Sequence, residues 1–133
     1  MKWIMLVITT FLTGCYLANG SPSPSTYWVK NGKSISYEEA KKCYIQSKGN
    51  ILNKFNLDRF NYLEDKYNKN PIKMIDEYKN EYSEYIHFLD AISILNRECF
   101  YHSGYRFRAP IQWCLAQDGD NTKICIDNMK YRN

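Results

Sequence analysis

Apolar residues recur along this chain in more than one rhythm, and each rhythm predicts a different element. The longest begins after Asn70 and Pro71, a cap residue followed by proline at the first helical position. From there Ile72, Ile75, Tyr78, Tyr82, Tyr85/Ile86, Leu89, Ile92, Leu95/Asn96 and Cys99/Phe100 return every three or four residues. That spacing predicts one long helix over about residues 71–103, with Gly104 as its terminator. Upstream, Ser36 and Glu39 have capping-box spacing, so a helix should follow with Ala40, Cys43, Tyr44 and Ser47 on one face. Gly49 and Asn50 are expected to interrupt or end it. A shorter helix over 57–67 would carry Leu57, Phe60, Leu63 and Tyr67 on its apolar side.

Other stretches lack the helical period. Residues 27–33, YWVKNGK, read as an aromatic strand closed by an Asn-Gly turn. From Tyr105 onward the pattern alternates through Arg106, Phe107 and Arg108, and Pro110 then breaks any helix. Residues 118–121, DGDN, form a turn cluster. The expected fold class is mainly α. It is a small helical domain over 27–133, built on the long helix and closed by an irregular or hairpin C-terminal tail held by a disulfide.

The first rhythm is of another kind. Residues 4–12, IMLVITTFL, follow a short positive start and form a continuous apolar run. A membrane-spanning helix needs about 20 such residues, so this run is too short to span but has the length of a signal-peptide core. Its sequel is Leu12, Thr13, Gly14 and Cys15, a motif that resembles the lipobox of bacterial lipoproteins. The resemblance covers only the leader and the anchor. It implies removal of residues 1–14, a diacylglycerol on the Cys15 sulfur and acylation of the new amino group. A thiolate suits that thioether chemistry, and two or more acyl chains hold a protein stably on a membrane. Tyr16 stands where an inner-membrane retention signal would place Asp, which directs the protein to the outer membrane by enteric sorting rules. Residues 15–26 would then be a lipidated N-terminus and a Ser/Pro tether. The competing reading cuts after Ala18, Asn19 and Gly20 and releases a soluble chain from Ser21.

The chain has five cysteines, and either cleavage leaves four: Cys43, Cys99, Cys114 and Cys125. An even set in an oxidising compartment predicts disulfides, and three pairings are open to it. Cys43–Cys99 and Cys114–Cys125 are the favoured pairs, since Cys43 and Cys99 both lie on the buried faces of helices that must pack together. Zinc is disfavoured, because the sequence has no CxxC and neither His87 nor His102 forms a ligand pair with a cysteine.

Other chemistry is sparse. Net charge is +4 in 133 residues with the basic residues spread out, which argues against nucleic acid as a partner. Asp118, Asp120 and Thr122 match the DxDxT pattern of haloacid-dehalogenase-like phosphotransferases, but only eleven residues follow where a doubly wound domain would be needed. Glu98 and His102 are four apart, a metal-capable spacing without further ligands. No motif places a nucleophile beside His87. No catalytic residue, cofactor, metal or small-molecule substrate is therefore expected. Tyr105, Arg106 and Arg108 are the candidate interaction patch, with a solvated strand edge as the plainer alternative.

A second pattern runs through Trp28, Lys30 and Gly32, then Cys43, and later Cys99, Gly104 and Tyr105. It resembles small, uncharacterised envelope lipoproteins with W-x-K-x-G near the start and a Cys–Gly–aromatic element after a later helix. The tyrosine-rich middle and the second cysteine pair depart from that pattern. The expected role is a lipid-anchored, non-enzymatic structural or accessory factor of the bacterial envelope that binds another envelope protein. The alternative is a secreted or surface-exposed effector or inhibitor directed at a host or phage factor.

Overall fold

A computed structural model describes residues 22–116 and 119–133. The leader, Cys15 and most of the tether therefore lie outside the described residues, as does Asp118. After a 3-10 turn at Pro24–Tyr27, strand β1 (Trp28–Lys30) turns back into β2 (Lys33–Ser34). Asn31 and Gly32 both take positive φ, 52° and 76°, which is how an Asn-Gly pair closes a tight hairpin. Four helices then follow one another with short breaks: α1 (Tyr37–Ile51), α2 (Lys54–Lys69), α3 (Pro71–Glu77) and α4 (Lys79–His102). Strand β3 (Arg106–Phe107) returns to β1, giving the antiparallel order β2-β1-β3 with Trp28 opposite Phe107. Two short helices, α5 (Ile111–Cys114) and α6 (Asn121–Asp127), and a last 3-10 turn complete the chain.

The mainly helical architecture agrees with the sequence, and so do several local signals. Ser36 caps α1: its hydroxyl accepts from the Glu39 amide and donates to the Glu39 carboxylate at 2.8 Å. Asn70 caps α3 through the Lys73 amide, with Pro71 at the first position. Gly104, at φ 91°, ends α4 in a left-handed cap in which the Tyr105 amide donates to the Phe100 carbonyl at 3.0 Å.

Three differences have physical causes. The expected helix over 71–103 is two helices, broken at Tyr78 (φ −112°, ψ 49°). The break resets the helical phase: Met74 turns inward, while Ile72 is left 71 % exposed. It also lets α3 and α4 both pack on α2. Helix α1 continues through Gly49 to Ile51, because a single glycine costs only about 1 kcal/mol in a helix held by packing. The tail between Cys114 and Cys125 is helical at both ends rather than a hairpin.

Two apolar clusters share α4. One gathers Trp28, Phe100, Phe107, Trp113 and Tyr131 around the sheet, and the other gathers Phe60, Leu63, Met74, Tyr85 and Ile92 around α2. On the surface of the second cluster, Arg59 of α2 grips Glu84 of α4 through two nitrogens, and Lys66 pairs with Glu81. The first cluster is stapled by two disulfides, Cys43–Cys99 and Cys114–Cys125, each with Cα atoms 5.7 Å apart. The favoured pairing is the one the fold adopts.

Those two bridges should contribute unequally. In the chain-entropy picture the longer Cys43–Cys99 loop is worth about 4 kcal/mol and the shorter loop about 3 kcal/mol, as upper values. Guanidinium unfolding of a double Cys43→Ser, Cys99→Ser variant should therefore show the larger loss, against Cys114→Ser with Cys125→Ser. A smaller loss for the 43–99 variant would contradict that picture.

Candidate functional site

The sequence-predicted patch is not one surface. Tyr105 is buried at 5 % exposure, Arg106 is half-buried, and Arg108 alone is exposed. The alternation is real, but its apolar phase points into the first cluster. The Tyr105 hydroxyl donates to the Glu39 carboxylate at 2.6 Å, tying β3's approach to the first turn of α1. The Arg106 guanidinium donates to the Tyr101 and Tyr105 carbonyls and lies 4.2 Å from the centroid of the Tyr101 ring. Tyr105 thus fastens the approach to β3 to α1, and Arg106 holds the end of α4 to the sheet.

The other sequence candidates are equally local. Thr122 donates its hydroxyl to the Cys114 carbonyl at 2.7 Å, a brace between α5 and α6. Glu98 faces Lys130 at 4.0 Å, while the His102 ring lies against Tyr101. Among the described residues no group of three or more His, Cys, Asp or Glu is placed to hold a metal ion, and no helix is long and apolar enough to cross a membrane.

A different site emerges from packing. Between the N-terminal 3-10 turn, α1, α4 and α6 lies an open cleft of about 510 Å³. Trp28 and Phe100 form its floor, held edge-to-face at 5.2 Å between ring centroids. Tyr37 opens α1 and Tyr44 lies two turns further along it, so both rings stand along the same wall. The opposite wall carries Asn96 and Arg97 of α4, with Asn128 just beyond α6. The lining includes two formal charges, Lys41 and Arg97, both positive.

Polar groups here are not fully satisfied. Asn128 is 2 % exposed and donates its amide to the Ile124 carbonyl at 2.7 Å, yet its Oδ1 has no partner. Asn96 Oδ1 and Arg97 Nε are likewise buried and unpartnered. Each of these three atoms has essentially no accessible surface, so none of them faces the open space of the cleft. Arg97 reaches Asp127 at 3.7 Å, but Asp127 is already taken by Lys123 at 2.9 Å, and that hydrogen bond is the main cause of its lowered carboxyl pKa. One carboxylate therefore serves two cations, and the cleft keeps a positive bias.

Sequence reasoning missed this site because its parts come from residues 23 to 128 and share no motif. One signal was present. Asn96 is a polar residue embedded in the otherwise apolar stripe of the long helix. No family model, curated protein or solved structure matches the chain.

The Tyr105–Glu39 bond has a pH signature. The Tyr105 hydroxyl, and then Ser36, hold the Glu39 carboxyl below its ordinary value of 4.5. A lowered folded pKa gives stability that is fully present above the ordinary value and fades as pH falls through the folded one. Tyr105→Phe should therefore melt lower than wild type at about pH 7, and the gap should narrow at about pH 3. Melting curves followed by circular dichroism measure both, and a pH-independent gap would show that the bond does not titrate.

Proposed function

We propose that this protein is a lipid-anchored, non-enzymatic binding factor of the bacterial envelope. The observation that carries the reading is a parity. Five cysteines are present, the fold uses four in two disulfides, and the fifth is Cys15 at the end of the apolar leader. Its place after Leu12, Thr13 and Gly14 is where a lipid would be attached. Disulfides form and persist outside the cytosol, which accords with a domain on the far side of the inner membrane. The first described element starts at Pro24, nine residues beyond Cys15, so a tether between them would span at most about 30 Å. That length keeps the domain close to the lipid headgroups.

Binding rather than catalysis is the role that the cleft supports. Its polar side chains are amides, hydroxyls and two cations, a set suited to holding a ligand. A reaction would call for a nucleophile next to a base, or two carboxylates with separated pKa values.

Metabolic labelling with palmitate tests the anchor. The full chain expressed in a bacterium should take up label and fractionate with membranes, and Cys15→Ala should abolish both. A wild-type chain without label, recovered as a soluble species beginning at Ser21, would defeat the proposal.

A further inference from the structure

Four large apolar residues stand on the surface of the C-terminal tail and belong to neither apolar cluster. Ile111, Leu115, Ile126 and Met129 are 61 to 67 % exposed. They gather around one bridge. Leu115 lies one turn on from Ile111, and its amide donates to the Ile111 carbonyl at 3.0 Å. Leu115 and Ile126 each follow a cysteine of the Cys114–Cys125 pair, whose Cα atoms are 5.7 Å apart. Their own Cα atoms are therefore at most about 13 Å apart, and Met129 comes three residues after Ile126. The chain enters the domain beside them. From Ser23 to Tyr27 the 3-10 turn advances about 8 Å. The Tyr27 ring then packs on Trp113 of α5 at 4.7 Å between centroids, and the Tyr27 carbonyl accepts the Arg108 amide at 2.7 Å. Two exposed cations precede or reach the start of α5: Arg108, and Arg132, which donates to the Ala109 carbonyl at 3.2 Å. Both stay outside the ion pairs of the tail, which use Arg97, Lys123 and Lys130.

We propose that this tail is a membrane-contact face, with its four apolar side chains at the headgroup boundary of a bilayer and Arg108 and Arg132 against anionic phosphates. Exposed apolar groups beside unpaired cations suit an interface where acyl chains and phosphates meet. The position of the tether selects the bilayer. It leaves the domain on this side, and the nine residues from Cys15 to Pro24 hold the entry point within about 30 Å of an anchor. Exposure alone would not choose this face, since Ile72 of α3 is 71 % exposed. However, α3 stands at the start of α4, whose 24 residues span about 36 Å, and Trp28 meets that helix near its other end, at Phe100. The inference rests on the proposed anchor for the nearness of a membrane, while the face itself follows from exposure and from where the chain enters.

The test uses the full chain isolated from bacterial membranes and reconstituted into vesicles of phosphatidylcholine and phosphatidylglycerol. A phosphatidylcholine with a diazirine on its acyl chain is included, and lipid adducts formed on illumination are mapped by peptide mass spectrometry. Adducts should fall on residues 111–115 and 126–129, with residues 71–77 at background. Ile111→Glu combined with Leu115→Glu alters exposed side chains and should leave the thermal melt unchanged. It should lower the tail adducts by about tenfold or more, since two apolar side chains no longer enter the lipid. A tail labelled no more than residues 71–77, or a tail indifferent to the double substitution, would overturn the proposal. The N-terminal peptide reads the anchor in the same digest. Tail adducts in a chain that carries no lipid, mixed with the vesicles rather than reconstituted, would remove the anchor and leave this face standing. A lipidated chain without tail adducts would do the reverse.

Discussion

The Cys43–Cys99 bridge is the constraint on which the rest of the structure depends. It fixes the middle of α1 to the last turn of α4 across a sequence separation of 56 residues. With those helices joined, Tyr105 follows the α4 cap directly onto Glu39 at the start of α1, and β3 is delivered to β1. Trp28 then meets Phe100, Phe107 and Tyr131. A small chain with a core divided between two clusters has limited apolar burial in either, and staples are the usual remedy at this size. Both bridges stand at the sheet end, where short strands and short helices are least able to hold themselves. The α2–α3 end has no bridge and relies on longer helices, the Phe60–Leu63–Met74 packing and the Arg59–Glu84 pair.

The cleft is a by-product of the same arrangement. Helix α6 is drawn to α5 by Cys114–Cys125, and Arg97–Asp127 ties it to α4. Its end therefore stands opposite α1 across the aromatic floor, and the gap between them stays open.

Local chemistry is what the sequence made legible. Ser36 with Glu39, Asn70 with Pro71, the Asn31–Gly32 turn and the Gly104 cap each act within a few residues, and each appears in the fold where the residue types demand it. The disulfide partners could be ranked because Cys43 and Cys99 sat on apolar stripes. The break at Tyr78 was illegible: tyrosine is no helix breaker, and the apolar spacing runs through it without interruption. What breaks the helix is tertiary, the wrapping of α3 and α4 around α2, with the Lys66 ammonium 3.4 Å from the Tyr78 ring centroid. Helices of four and seven residues, such as α5 and α6, are too short for periodicity to declare them. The Arg106–Tyr105 patch failed as a surface because alternation gives the two faces of a strand but not which neighbours cover them. Tyr101 and Glu39 cover these.

The proposed anchor at Cys15 and the two disulfides rest on the same count of cysteines. The anchor and the cysteine parity stand or fall together in one measurement, the intact mass of the protein isolated from the bacterial membrane. The account predicts a chain that begins at Cys15, carries the mass of a diacylglycerol and an amide-linked acyl chain, and lacks four hydrogens for its two disulfides. An unmodified mass beginning at Ser21, or four free thiols among Cys43, Cys99, Cys114 and Cys125, would contradict it.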